Sequence, residues 1–326
     1  MQYKSVKGFS GWGQLGILCA FSGLGFILAA VVQFVIGIKL VPAGMPVDKM
    51  AYEMLKAMLK PENIGYAQLA QVLGTFFLLF VPAALYLFVC YGKNKSWLGF
   101  NKYINYKQVL IGFCLIFLAN IIAQPLSDMT RNILTHSPGL NSMAQSLENT
   151  YSDQVTALSN LKSWPQLLMA LAIMAFFPAM FEEIFFRGAL QNLLVRWWKL
   201  PVLGIIVTSI LFSLIHMSVY LFLSRALLGF ILGLMYYRSK NIWVNIIAHF
   251  LNNAVALVQL FWMNTHQQHV EINKMDPKVP IWGGLIAAAI TYGLFLLFEQ
   301  VSGKNRKQIE QEEQQLIEKT DPFHSY

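Results

Sequence analysis

What most narrows the folds open to this chain is that its apolar residues run in blocks of about twenty or more with almost no charge inside them. A bilayer core takes about 20 apolar residues per helix. Blocks of that length exclude a disordered chain, and they do not suit a soluble globular enzyme. Composition agrees: of 326 residues, 56% are hydrophobic and 12% charged, roughly half the charged share of an ordinary soluble domain. The net charge is +8, yet the basic residues punctuate the apolar blocks instead of forming a basic domain. A nucleic-acid partner is therefore not expected, and the lipid bilayer is.

Applying the length rule gives eight spans, at about 12–41, 66–91, 107–127, 166–187, 201–221, 223–238, 242–263 and 281–300. The expected fold class is all-α, a polytopic transmembrane helix bundle. The first span follows Lys4 and Lys7 as a signal peptide would, but its apolar run is about twice a signal core, so an uncleaved span is expected. With the N-terminus inside, 15 of the 24 Lys and Arg residues fall in inner segments. Both termini are then cytoplasmic. The expected organisation is a membrane domain over 1–302, with its core at about 166–263, and a charged cytoplasmic tail over 303–326. Residues 43–65 read as an outer amphipathic helix, and 128–164 as a long hydrophilic outer connection. Cys19, Cys90 and Cys114 all lie in apolar blocks without CxxC spacing, as small buried hydrophobes do.

Ionisable side chains inside a bilayer cost several kcal/mol each, so each one needs a reason. They concentrate in three places. The first is Glu182-Glu183-Ile184-Phe185-Phe186-Arg187, at the end of the fourth span. Glu183 and Arg187 are i,i+4 neighbours and can pair. Glu182 points about 100° away, toward no in-helix cation, and remains a free carboxylate of the kind a general base requires. Pro178 cannot donate to the carbonyl of Met174 and should kink this helix. The second place is Phe212-Ser213-Leu214-Ile215-His216, in the fifth span. The third is the seventh span, where Asn245, His249 and Asn253 recur at i, i+4 and i+8 on one face. Such a stripe is either a helix–helix hydrogen-bond seam or the wall of a polar cavity.

A carboxylate with two imidazoles can hold a divalent metal and its water, or position a water directly. Asn253, or a protonated His249, can donate to a developing oxyanion. These are the parts needed to hydrolyse an amide. HExxH, GxSxG and P-loop motifs are missing. His266 and His269, spaced i,i+3 in an outer loop beside Glu271, read as a surface pair.

The ordered set EExxxR, FxxxH and HxxxN, carried here by Glu182–Arg187, Phe212–His216 and His249–Asn253, resembles the CAAX-protease and bacteriocin-processing (CPBP, or Abi) family of intramembrane metalloproteases. The match covers about 180–255, and no motif position departs from the pattern. The resemblance implies an endopeptidase with a protein or peptide substrate, and it implies roles. Glu182 would activate water, with Glu183 and Arg187 supporting it. His216 would orient that water or bind a metal, while His249 and Asn253 would complete the site. A metal, expected to be zinc, would be held by Glu182, His216 and His249; a metal-free glutamate mechanism satisfies the same residues. Eukaryotic members remove the last three residues of prenylated proteins, and bacterial ones include bacteriocin-processing and immunity proteins. The expected location is a bacterial cytoplasmic membrane. Two alternatives remain at this level: a non-catalytic immunity or partner-binding protein of the same fold, and a proton-coupled transporter using the carboxylates and histidines as relays.

Overall fold

A computed structural model describes residues 3–158, 161–266 and 279–320, without the side chains of 319 and 320. His269 and Glu271 fall outside the described residues. The described chain is helical, with ten long helices numbered here in chain order: α1 (Gly11–Ile38), α2 (Val47–Met58), α3 (Pro61–Cys90), α4 (Tyr106–Thr135), α5 (Pro138–Leu158), α6 (Trp164–Trp198), α7 (Pro201–Leu214), α8 (Phe222–Ser239), α9 (Ile242–His266) and α10 (Ile281–Thr320). Their starts are written in the sequence. Ser10 caps α1 by accepting from Gly13 N, and Asn105 with Gln108 closes a reciprocal capping box at α4, each pairing amides that the first helical turn leaves open.

Large apolar side chains such as Phe26, Ile27, Leu110 and Leu285 remain exposed on the outer faces of these helices. In lipid such surfaces need no cover, and the backbone is satisfied within each helix. The protein is therefore an integral, multi-pass membrane protein. Six of the described helices, α1, α3, α4, α6, α9 and α10, are long and apolar enough to cross a bilayer. This differs from the eight spans expected. The fifth span stops early, because α7 has only 14 residues. The sixth, α8, carries Arg225 one turn from its start and Arg238 near its end. The long 128–164 connection is largely helical: α4 continues to Thr135, and α5 is a 21-residue helix. The span and tail at the C-terminus form one unbroken helix, Ile281–Thr320.

The basic segments that the charge count assigns to the cytoplasm meet at one end of the bundle. Lys7 N donates to Cys90 O, Asn101 Nδ2 to Lys240 O, and Tyr103 OH to Glu312, while Arg196 pairs with Glu313 of α10 at 2.6 Å. Cys90 is buried as expected and Cys19 is exposed on α1; neither they nor Cys114 are paired.

The best-packed core surrounds α6. Phe181, Ile184, Phe186 and Leu193 pack against Leu18 of α1, Tyr86 of α3, Phe212 of α7 and Ile246 of α9. Helix α6 is not regular: it widens into π turns at Leu171–Phe176 and Ile184–Gln191. The first precedes Pro178, whose missing N–H removes a rung of the helical ladder and lets the turn open. The second begins directly after Glu182-Glu183. Extra residues of this kind rotate the following side chains, and they concentrate at functional sites.

Candidate functional site

Near the middle of α6, the two adjacent carboxylates face different surroundings. Glu183 is fully buried. Its Oε1 lies 3.0 Å from Arg187 Nη1 and 2.9 Å from His249 Nδ1, and its Oε2 accepts from Asn245 Nδ2 at 3.1 Å. Arg187, 1% exposed, also donates from Nη2 to Gly229 O at 3.1 Å and stacks over the Phe212 ring at 4.8 Å. Glu183 and Arg187 are thus the strut that the i,i+4 spacing predicts. A charge pair this deep is tolerable only when further hydrogen bonds support it; Asn245 and His249 serve Glu183, and Gly229 O serves Arg187, whose Nε has no hydrogen-bond partner among the described residues.

Glu182 is the free member. Its side chain is 13% exposed, and Oε2 lies 3.9 Å from His249 Nε2. The polarity of the histidine follows from chemistry. A carboxylate only accepts, so Nδ1 carries the proton given to Glu183, and Nε2 faces Glu182. Glu183 thereby orients the ring whose other nitrogen meets Glu182.

His216 does not lie within a helix. Helix α7 ends at Leu214, and His216 occupies the turn that follows, its N–H bonded to Ser213 O. Its Nδ1 meets Phe212 O at 2.7 Å, so Nδ1 donates and Nε2 is left to the site. The Phe212 ring packs near both histidines, its centroid 4.7 Å from that of His216 and 6.4 Å from that of His249. Asn253, half-buried and one turn beyond His249, accepts from Asn252 Nδ2 at 3.5 Å; among the described residues it makes no bond to the Glu–His set. Asn252 in turn accepts from Asn120 of α4 at 2.6 Å.

The expected metal set of Glu182, His216 and His249 fits in one respect only. Both rings commit Nδ1 to an acceptor and leave Nε2 open, as metal-bound histidines do. The spacing does not fit: ligands about 2.1 Å from a tetrahedral ion lie about 3.4 Å apart, against 3.9 Å between Glu182 and His249. Among the described residues no three His, Cys, Asp or Glu side chains converge as a metal set.

Compared with known proteins, residues 164–255 match the family described as type II CAAX prenyl endopeptidase Rce1-like. That segment carries the similarity. All six candidate residues, Glu182, Glu183, Arg187, His216, His249 and Asn253, lie inside it, whereas α1 to α5 lie outside. One curated relative, an uncharacterized protein of Bacillus subtilis (strain 168) called YpbD, is 30% identical over 118 residues, or 34% of this chain. The chain spans 56% of that relative's length. No solved structure matches.

Two residues beyond the six candidates also touch this site. Asn245 was recognisable as part of the α9 stripe, and it proves to be the seam member, bonded to Glu183 and to Leu232 O. Arg225 lies inside the expected span 223–238 and the sequence gives it no role; in the fold its Nη1 donates to the carbonyl of His216 at 3.2 Å.

Proposed function

We propose that the protein is an intramembrane endopeptidase that hydrolyses a peptide bond with a water activated by Glu182. The observation that carries this reading is the division of labour between adjacent carboxylates in the Rce1-like segment. One is locked into a buried pair, and the other is open and faces the Nε2 of a histidine oriented by the first. The 3.9 Å between Glu182 Oε2 and His249 Nε2 is too long for a direct hydrogen bond but suits a water held by both.

In the proposed reaction the water gives one proton to Glu182, and its oxygen forms a bond to the scissile carbonyl carbon. The C=O pair moves onto oxygen, where the Asn253 amide donates to the oxyanion. Collapse breaks the C–N bond, and the proton held by Glu182 passes to the leaving amine. His216 Nε2 accepts a hydrogen bond that fixes the water or the substrate backbone. The Phe212 ring, packed against Arg187 and near both imidazoles, helps keep bulk water away and strengthens these interactions.

A prenylated or membrane-spanning peptide fits a site buried in the bundle, and a bacterial cytoplasmic membrane fits the charge asymmetry. The test is cleavage in proteoliposomes of two probes, a farnesylated C-terminal CAAX peptide and a single-span transmembrane peptide, read by mass spectrometry. Cutting of either, abolished by Glu182→Gln, supports the reading; two probes left intact by the wild type count against it.

A further inference from the structure

The turn that carries His216 is irregular backbone that follows a helix too short to cross a bilayer. Helix α7, with 14 residues, rises only about 21 Å of a hydrocarbon core about 30 Å thick. Non-helical backbone inside such a core persists only where protein or a polar cavity covers it. The residue after His216 adds a second demand. Met217 has φ +53, a left-handed conformation that costs a non-glycine residue about 1 kcal/mol or more and survives only where its surroundings over-determine it.

Those surroundings come from outside the Rce1-like segment. Helix α5 presents Asn141, Ala144, Glu148 and Tyr151 at spacings of three and four, a single helical stripe. Ala144 is 1% exposed at the centre of that stripe. Asn141 Oδ1 accepts from Tyr220 OH at 2.7 Å, and Glu148 Oε2 from Ser218 Oγ at 2.9 Å. The Tyr151 ring lies 4.9 Å under the Arg225 guanidinium. Arg225 connects the two parts: stacked on α5, it donates from Nη1 to the carbonyl of His216 itself.

We propose that Arg225 is a positioning residue. Braced by the Asn141–Tyr151 face of α5, it fixes the turn after α7 and so holds the His216 ring toward Glu182 and His249. A cation is suited to this task because it donates to a carbonyl that no helix satisfies, and its planar face packs on an aromatic ring while the fork donates. The role in turnover rests on the peptidase reading above; the role in holding His216 does not.

Two readouts separate these parts. For turnover, Arg225→Ala should lower kcat about 10²-fold with KM changed less than threefold, since displacing a reacting group by about 1 Å costs that much. Arg225→Lys, which can still donate to the carbonyl, should recover most of it. For the turn itself, the protein is labelled with 15N-histidine in nanodiscs, and His216 is assigned by the signal lost in His216→Gln. The wild type should report one ring tautomer protonated at Nδ1; Arg225→Ala and Tyr151→Leu should both give an averaged signal. Should Arg225→Ala not fold, Arg225→Lys and Tyr151→Leu carry the test at unchanged Tm. A single-tautomer His216 signal in Tyr151→Leu, or in Arg225→Ala, overturns the proposal. Should Glu182→Gln remain active, the peptidase reading fails while the His216 spectra still decide the role of Arg225.

Discussion

Glu183 Oε1 lies 2.9 Å from His249 Nδ1, at full burial and across two helices. The relationship makes one carboxylate a scaffold for the ring that its neighbour, Glu182, faces. Replacing Glu183 by Gln keeps the size but removes the charge opposite Arg187. Breaking a buried ion pair from one side costs about 3–5 kcal/mol, so Glu183→Gln should lower thermal stability in detergent sharply, with activity falling as the folded fraction does. Differential scanning fluorimetry checks this, and an unchanged Tm contradicts it.

Arg187→Lys retains the charge but cannot pair with Glu183, donate to Gly229 O and stack on Phe212 together. The expected loss is about 1–3 kcal/mol, measured as a shift in the denaturant or thermal midpoint. Wild-type stability would show that the fork geometry is unimportant.

Asn245→Ala removes a donor from Glu183 Oε2 and from Leu232 O together. Buried acceptors left unpaired cost about 1–3 kcal/mol. Stability should fall by that order, with Asn245→Asp worse because it sets a second buried carboxylate against the first. Comparison of the three midpoints decides it.

How much of this was legible beforehand depended on which interactions are local in sequence. The Glu183–Arg187 strut was readable because both residues lie on one helix at i,i+4, and the Asn245–His249–Asn253 stripe was readable for the same reason. What Asn245 bonds was not, since its partners lie on α6 and α8. The early end of α7 was hidden because Ile215, Met217 and Val219 continue the apolar run around His216; in the fold Ser218 and Tyr220 bind α5, and Arg225 reaches back to the His216 carbonyl. Arg225 carried no signal because spacing along one span does not reveal which carbonyl on another turn a guanidinium reaches. The polar composition of α5 concealed a helix, because three of the four residues of its contact stripe are polar and bind the turn.

Gly188 follows the strut, and a Cβ there would come within 2.9 Å of the Leu98 carbonyl oxygen. Backbone cannot yield as a flexible side chain does, so Gly188→Ala should cost about 1–3 kcal/mol through overpacking. A thermal midpoint equal to wild type would place slack where the packing shows none.

The donor spacing at Glu182 and His249 leads to the expectation that cleavage survives 1,10-phenanthroline and EDTA, with well under one metal ion per chain after purification without added zinc. Loss of activity restored by zinc would return Glu182, His216 and His249 to the role of ligands.

The division between the carboxylates is tested most directly by measuring single-turnover cleavage and Tm for Glu182→Gln beside Glu183→Gln. The account predicts that Glu182→Gln loses about 10²–10⁴-fold in rate, the range of a removed general base, at a Tm close to wild type, while Glu183→Gln loses stability first. Full cleavage by a folded Glu182→Gln would contradict it.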